Sequence, residues 1–430
     1  MHDRDVVVVS GVRTPFAAAG TLFRRVGAAE LARIAIREAV ERAEIDPEWI
    51  EEVVVGSAAG SADAPNVART ASLAAKIPRR VPALSVSRDS ASGFEAIVEA
   101  AYRIQSGDAD FAVAAAVESI SSAPLLWSRE AREIWTKADR ARGRFSRAAA
   151  LARLRPRHFR PVPGFHRGLV DPVSGLRMGE TADRLAREFD LSREEQDAFA
   201  LRSHRLAAAA WADGKMAAEV MGVPIPPEYA SAVLKDSGIR ESLRAEDLAA
   251  LPPAFDARYG SVTAGNAAPA GDGAVALVLA SAGRAKALGL RVLGKVRCWG
   301  FAGCDPRRMG LGPVFAVPEA LRRAGGLSLD RMDLVEIDEA SAAQVVACLR
   351  AFESRSFCEQ HLRTGPLGEV DPGRVNVNGG AIAFGDPVGA GSARLVLTLL
   401  GEMERRGASL GLAAVSVGGG QGAAMVLERV

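Results

Sequence analysis

Short runs of β-branched and small apolar residues recur along this chain, several of them closed by glycine or serine, with helix-spaced segments between them. They stand at DVVVVSG (5–11), EEVVVGSAAG (51–60), DADFAVAAAVESI (108–120) and GAVALVLAS (273–281). Continuous apolar runs of this kind belong to strands buried on both faces, and such strands need helices to cover them. Between the first two runs, AAELARIAIREAVERAEI carries apolar residues at helical spacing. SVSRDSASGFEAIVEA (85–100) opens another apolar-faced helix behind a cluster of small residues. The alternation predicts a layered α/β fold. It resumes late in the chain. DLVEIDEASAAQVVACLRAF (333–352) reads as a strand leading into a helix, and NVNGGAIAFGDPVGAGSARLVLTLL (376–400) as a glycine-rich loop leading into a helix. GLAAVSVGGGQGAAMVLE (411–428) reads as two strands joined by a glycine-rich turn.

From about residue 126 to 252 the chain is charged, helical and broken by proline and glycine. Within it lie eight arginines between Arg140 and Arg160. Such a run is usually a solvated face; a site for the phosphates of a nucleotide-like cofactor is the sharper alternative. Across the whole chain 54 Lys+Arg against 52 Asp+Glu leave a net charge of +2, which argues against a nucleic-acid binder. Cys298, Cys304, Cys348 and Cys358 show no CxxC spacing, and there are five histidines. That pattern points away from a metal site or a disulfide framework and towards a reducing cytoplasm. The N-terminus runs into a strand without a signal-peptide pattern, and no apolar run reaches bilayer-spanning length.

In α/β folds, loops at the ends of buried strands carry the chemistry. Each glycine-rich loop taken alone reads first as close backbone packing. In order and spacing, however, they resemble the thiolase family over almost the whole chain. VVVVSGVRTPFAAAGTLFRRV resembles the family's opening strand and RTPF segment, and RMGETADRLAREFDLSREEQDAFALRSHRLAAAAW (177–211) its loop-domain helices. FDARYGSVTAGNAAPAGDGAVALVL (255–279) resembles the VTAxN…DGA segment, and GGAIAFGDPVGAGSAR and SVGGGQG the two C-terminal catalytic loops. SVSR, LRAEDLAALPPAFDARYGSVTA and GLSLDRMDLVEIDEA are similar to the thiolase β subunit of the fatty-acid-oxidation trifunctional complex.

The resemblance implies a five-layer αβαβα fold of two similar halves plus a helical loop domain. The N-terminal half would span 1–125, completed by 253–283. The loop domain over the CoA channel would span 126–252, and the C-terminal half 284–430. It implies CoA or acyl-CoA as ligand with no tightly bound cofactor, and an obligate dimer. It also implies reversible cleavage of a 3-oxoacyl-CoA by CoA through an acyl-cysteine.

The positions that would carry this reaction hold other residues. Ser90 stands where the family has its nucleophilic Cys, and Asp386 where the GHP loop supplies a His. Ser416 stands at the second, acid/base Cys, and Asp338 at the Asn or His of the NEAF/HEAF segment. A second oxyanion site would need only the backbone N–H groups of Ser90 and Gly418. Met178, Asn266, Ala268 and Gly385 match substrate-binding positions. Met178 reads equally well as core filling, and Ala268 replaces a Ser that helps place the pantetheine arm.

A thiol of pKa about 8.5 is partly ionised near neutrality, whereas a serine hydroxyl needs a general base. Asp386, with an ordinary pKa of about 3.9, is a poor one. Losing one oxyanion donor costs about 3–4 kcal/mol. An ionised carboxylate in its place adds roughly 4 kcal/mol of repulsion at 4 Å and an effective dielectric near 20. A shared proton between Asp338 and Asp386 would restore a donor.

Three readings follow. The first is a non-catalytic homologue that binds acyl-CoA or partners an intact thiolase or a hydratase/dehydrogenase subunit, as homodimer or heterodimer. The second is an acyltransferase or hydrolase carrying the acyl group on Ser90. The third is a conventional acetyl-CoA C-acyltransferase.

Overall fold

The computed structural model describes residues 2–430. Its principal elements are strand β1 (Val6–Arg13), helix α1 (Ala28–Arg42), β2 (Glu52–Gly56), α2 (Val67–Ala74), β3 (Ala83–Val86), α3 (Ser92–Ser106) and β4 (Phe111–Ser119). Helices α4 (Arg129–Asp139), α5 (Arg144–Leu151), α6 (Met178–Glu188) and α7 (Arg193–Ala212) follow. The later part holds β5 (Gly271–Ser281), β6 (Gly294–Gly303), α8 (Gly312–Arg323), β7 (Leu334–Ile337), α9 (Ala342–Glu353), α10 (Gly391–Arg406), β8 (Leu410–Val417) and β9 (Gln421–Glu428).

The strands run β7-β8-β9-β6-β1-β5-β4-β2-β3, with the two-residue strand Ala17–Ala18 added beside β5. β2 lies parallel to β3 and β4, and β7 parallel to β8, while the remaining pairs are antiparallel. The two halves join at a short seam, where Val6, Val7 and Val8 pair with Val296, Lys295 and Gly294.

Alternation along each strand sorts the core. Val6 and Val8 of β1, Ala112, Ala114 and Ala116 of β4, and Val275, Leu277 and Leu279 of β5 pack into one central cluster with α3 and α10. Val7, Val9, Phe111, Val113, Ala115 and Val278 turn the other way, onto α1 and α2. In the second half, Ala413, Val415, Met425 and Leu427 face the central helices, while Leu412, Ala414, Ala424 and Val426 face α8 and α9. The result is helices, sheet, buried helices, sheet, helices: the five-layer expectation is borne out, because strands of period two bury both faces only between helix layers. Small residues set the spacing. A Cβ on Gly422 of β9 would lie 1.9 Å from the Gly312 carbonyl oxygen, so α8 starts in backbone contact with the sheet.

Two compact units are present, Met1–Ser122 with Asp171–Val430, and Ala123–Val170. The segment expected as one loop domain, 126–252, is divided between them. Within the smaller unit α4 and α5 pack together, and all eight arginines from Arg140 to Arg160 are exposed, as a solvated face requires. No helix among the described residues is long and apolar enough to cross a membrane.

Candidate active site

Strand β3 ends before Arg88, and the chain turns tightly into α3. The turn is held by Ser92, whose Oγ accepts the Arg88 N–H at 3.0 Å and donates to the Asp89 carbonyl at 2.6 Å. Asp89 takes a left-handed φ of +47°. Ser90 follows it, 3% exposed, two residues ahead of the helix. A Cβ on Gly93 would lie 2.7 Å from the backbone nitrogen of Ala393, and the Phe94 N–H donates to Ser392 Oγ at 3.3 Å. The N-termini of α3 and α10 therefore meet beside Ser90, bringing two positive helix ends together.

Asp386 lies in the loop before α10. Its N–H donates to the Pro269 carbonyl, and its carbonyl accepts the Gly271 N–H, both at 2.9 Å. Asp338 follows β7 and donates its N–H to Ala414 of β8 at 2.9 Å, two residues before Ser416. Asp386 Oδ1 and Asp338 Oδ1 lie 3.0 and 3.8 Å from the point where a Cβ on Gly391 would sit, at the first residue of α10. Asp338 is 3% exposed, and its Oδ1 has no hydrogen-bond partner among the described residues. Ser90, Asp386 and Asp338 thus lie around the start of the two buried helices, and Ser416 follows Ala414 on the neighbouring strand.

The charges there are mostly negative. Burial raises Asp386 well above the ordinary carboxylate range, and nearby Asp338 raises it further. Burial moves Asp338 up to about 6, against the pull of Arg394 and with a push from Glu339. Arg394 itself is tied to Glu336 at 3.0 Å. Glu118 is raised to about 7 by burial, although it accepts the N–H groups of Ala58 and Ala59. These shifts favour protonated carboxyls, which donate a hydrogen bond where an ionised one could only accept.

Sequence alone does not single out Asp89, Glu118 and Glu339. Asp89 stands inside the SVSRDSASG stretch, next to Ser90, the expected nucleophile position, and that adjacency is the one available signal. Glu339 is a clasp: it accepts from Ser203 Oγ at 2.7 Å, Asn376 Nδ2 at 2.8 Å and the Ile382 N–H at 3.2 Å.

Of the expected substrate-binding residues, Asn266 is fully buried. Its amide donates to Asp197 and the Ser261 carbonyl, while its Oδ1 accepts the Thr263 N–H. The Ala268 N–H donates to the Ala340 carbonyl at 3.2 Å, Met178 opens α6, and Gly385 takes φ +95° ahead of Asp386. The thiols of Cys298, Cys348 and Cys358 donate to the carbonyls of Ala320, Gly310 and Ala351. Burial raises Cys298 to about 11 and Cys348 to about 12, as it does Cys304 to about 11. His204 accepts the Arg240 N–H, and burial lowers it to about 4. No group of metal-binding side chains is found among the described residues.

Two family models match: the thiolase N-terminal domain over residues 6–283 and the thiolase C-terminal domain over residues 290–429. The chain is 41% identical over 425 residues to a 3-ketoacyl-CoA thiolase of Yersinia pestis (strain Pestoides F), covering 98% of this chain and 96% of that one. Among solved structures it is similar to an acetyl-CoA acetyltransferase of Bacillus anthracis, at TM-score 0.86 and 36% identity, covering 99% of each chain. It is also similar to human mitochondrial 3-ketoacyl-CoA thiolase in complex with CoA, at TM-score 0.84 and 33% identity, covering 100% of this chain and 98% of that one.

Proposed function

Because the chain belongs to the thiolase family, with relatives in fatty-acid oxidation, we propose that it is an acyl-CoA-associated member of that family that does not perform thiolysis. It would act in the cytoplasm as a partner subunit, either as a homodimer or in a mixed dimer with an intact thiolase, or beside a hydratase/dehydrogenase subunit. The observation that supports this reading is the meeting of the helix ends beside Ser90, Asp338 and Asp386, where no thiol or imidazole among the described residues hydrogen-bonds to any of them. Ser90 has no base to take its proton. Asp386, which burial raises well above the ordinary carboxylate range, favours its protonated form, and Asp338 Oδ1 has no hydrogen-bond partner among the described residues. Ser416 has no acidity suited to moving a proton at a substrate α-carbon. CoA as ligand is supported by the solved relative that holds it.

The raised Asp338 and Asp386 carboxyls favour one further possibility, Ser90 as an acyl carrier with a protonated carboxyl donating to the acyl oxygen. One experiment separates the readings. The chain, freed of host thiolase, is incubated with acetoacetyl-CoA and CoA, and separately with acetyl-CoA followed by intact-mass measurement. Thiolysis is expected at least about 10⁴-fold below that of a Cys/His thiolase, since general-base and oxyanion contributions are both missing. No mass increase is expected on Ser90. An adduct that disappears in Ser90→Ala would establish the acyl-carrier reading, and thiolysis at ordinary rates would refute both. Calorimetric titration with CoA reads binding separately.

A further inference from the structure

Beside the backbone N–H groups of Ser90 and Gly418, expected as an oxyanion site, lies the carboxyl group of Asp89. A Cβ on Gly418 would lie 1.8 Å from Asp89 Oδ2 and 3.1 Å from its carboxyl carbon, so the carboxylate rests directly on that glycine. Burial raises its pKa, and the N–H groups of Gly418 and Ser90 lie close enough to pull it down against that rise. The left-handed φ of +47° at Asp89 turns its side chain back across the start of α3. Asp and Asn adopt that conformation more readily than other non-glycine residues.

We propose that Asp89 is the specificity-determining residue of this site: its carboxylate fills the N–H pair that would otherwise receive a carbonyl oxygen, so an acyl group reaches Ser90 only by displacing it. Hydrogen bonds to a carboxylate are roughly twice as strong as those to a neutral carbonyl. The carboxylate is also tethered, so it loses no translational freedom when it occupies the pair, whereas an incoming ester or thioester does. The closure explains why a backbone donor pair that survives the side-chain substitutions still offers nothing to a substrate. It rests on the reading of Ser90 as the acyl position, and not on CoA binding.

The test uses p-nitrophenyl acetate, which has no CoA arm, on the full chain. Acetylation forms a Ser90 Oγ–acyl bond and breaks the ester C–O bond; nitrophenolate leaves with the electron pair, and the hydroxyl proton passes to solvent. Nitrophenolate release and intact mass are followed for the native chain, Asp89→Ala, Asp89→Asn and the Asp89→Ala/Ser90→Ala pair. Unmasking two donors should raise Ser90 acetylation in Asp89→Ala by at least roughly tenfold. Asp89→Asn, which keeps an oxygen on the pair without charge, should rise less, and the double variant should fall to background. Asp89→Ala reacting no faster than the native chain would overturn the proposal. Where Asp89→Ala has no thermal unfolding transition, Asp89→Asn decides by the same comparison. Loss of the transition in both would show a carboxylate needed to hold the loop, and would overturn it too. Native acetoacetyl-CoA thiolysis would instead refute the proposed function.

Discussion

Asp338→Asn should stabilise the protein by about 3 kcal/mol above pH 7, and by almost nothing at pH 4. Burial raises Asp338 from 3.8 to about 6, and every tenfold weakening of an acid on folding is worth about 1.4 kcal/mol. The sign follows from proton binding. Between the unfolded and folded pKa values the native chain holds a proton that the unfolded chain has released, so stability falls as pH rises. The loss begins near pH 4, runs through about 6 for Asp338 and about 7 for Glu118, and levels off above. An amide at 338 cannot ionise, and the Oδ1 it replaces has no hydrogen bond to lose. It also removes one cause of the raised pKa at Asp386. Urea unfolding at pH 5 and pH 8 measures the effect. The native chain should lose stability between the two, and Asp338→Asn should lose less, with Glu118 supplying the remaining slope. A variant less stable than native at pH 8 would mean that Asp338 serves a cation, and would sink this account of the site.

Arg13→Met should cost about 3–5 kcal/mol, a large part of the roughly 5–15 kcal/mol that holds an ordinary domain folded. Arg13 is fully buried; its Nε donates to Glu219 at 2.7 Å, and its Nη1 and Nη2 grip Asp236 at 2.6 and 2.9 Å. Removing the guanidinium leaves two acids in the core without their cation. Asp236 keeps the Phe16 N–H at 2.7 Å and Trp211 Nε1 at 3.1 Å, which places the cost towards the lower end. Arg13→Met/Asp236→Asn should recover part of the loss, since one uncompensated charge goes with it. Thermal or urea melts of the single and double variants check this. A loss under about 1 kcal/mol would mean that water reaches the cluster.

The layers of the fold were legible because buried strands and covered helices write different periods, and the runs at 5–11, 108–120 and 273–281 became β1, β4 and β5. Strand β6 was less visible. GKVRCWGFAG mixes Lys and Arg with its apolar residues, since one of its ends crosses the seam and the other approaches solvent. Helix α8 carries Pro318 inside it, which reads as a break in a sequence and is tolerated by packing in the fold. At the site, residue identities at 90, 338, 386 and 416 were available from the loops. The direction of Asp89 was not. A left-handed backbone angle at a non-glycine residue leaves no mark in composition or spacing, so the carboxyl that lies against Gly418 could not be read from them.

The fit between Gly312 and Gly422 has a consequence for anyone who would remake this chain. Where backbone lies on backbone, every substitution adds atoms to a space that has none to spare. Ser90, Asp338 and Ser416 are buried as well, but they already carry side chains whose space a replacement can reuse. Directed evolution starting here therefore has more room to search at those positions than at the glycines. Its dead ends will be concentrated at glycines that never touch a substrate.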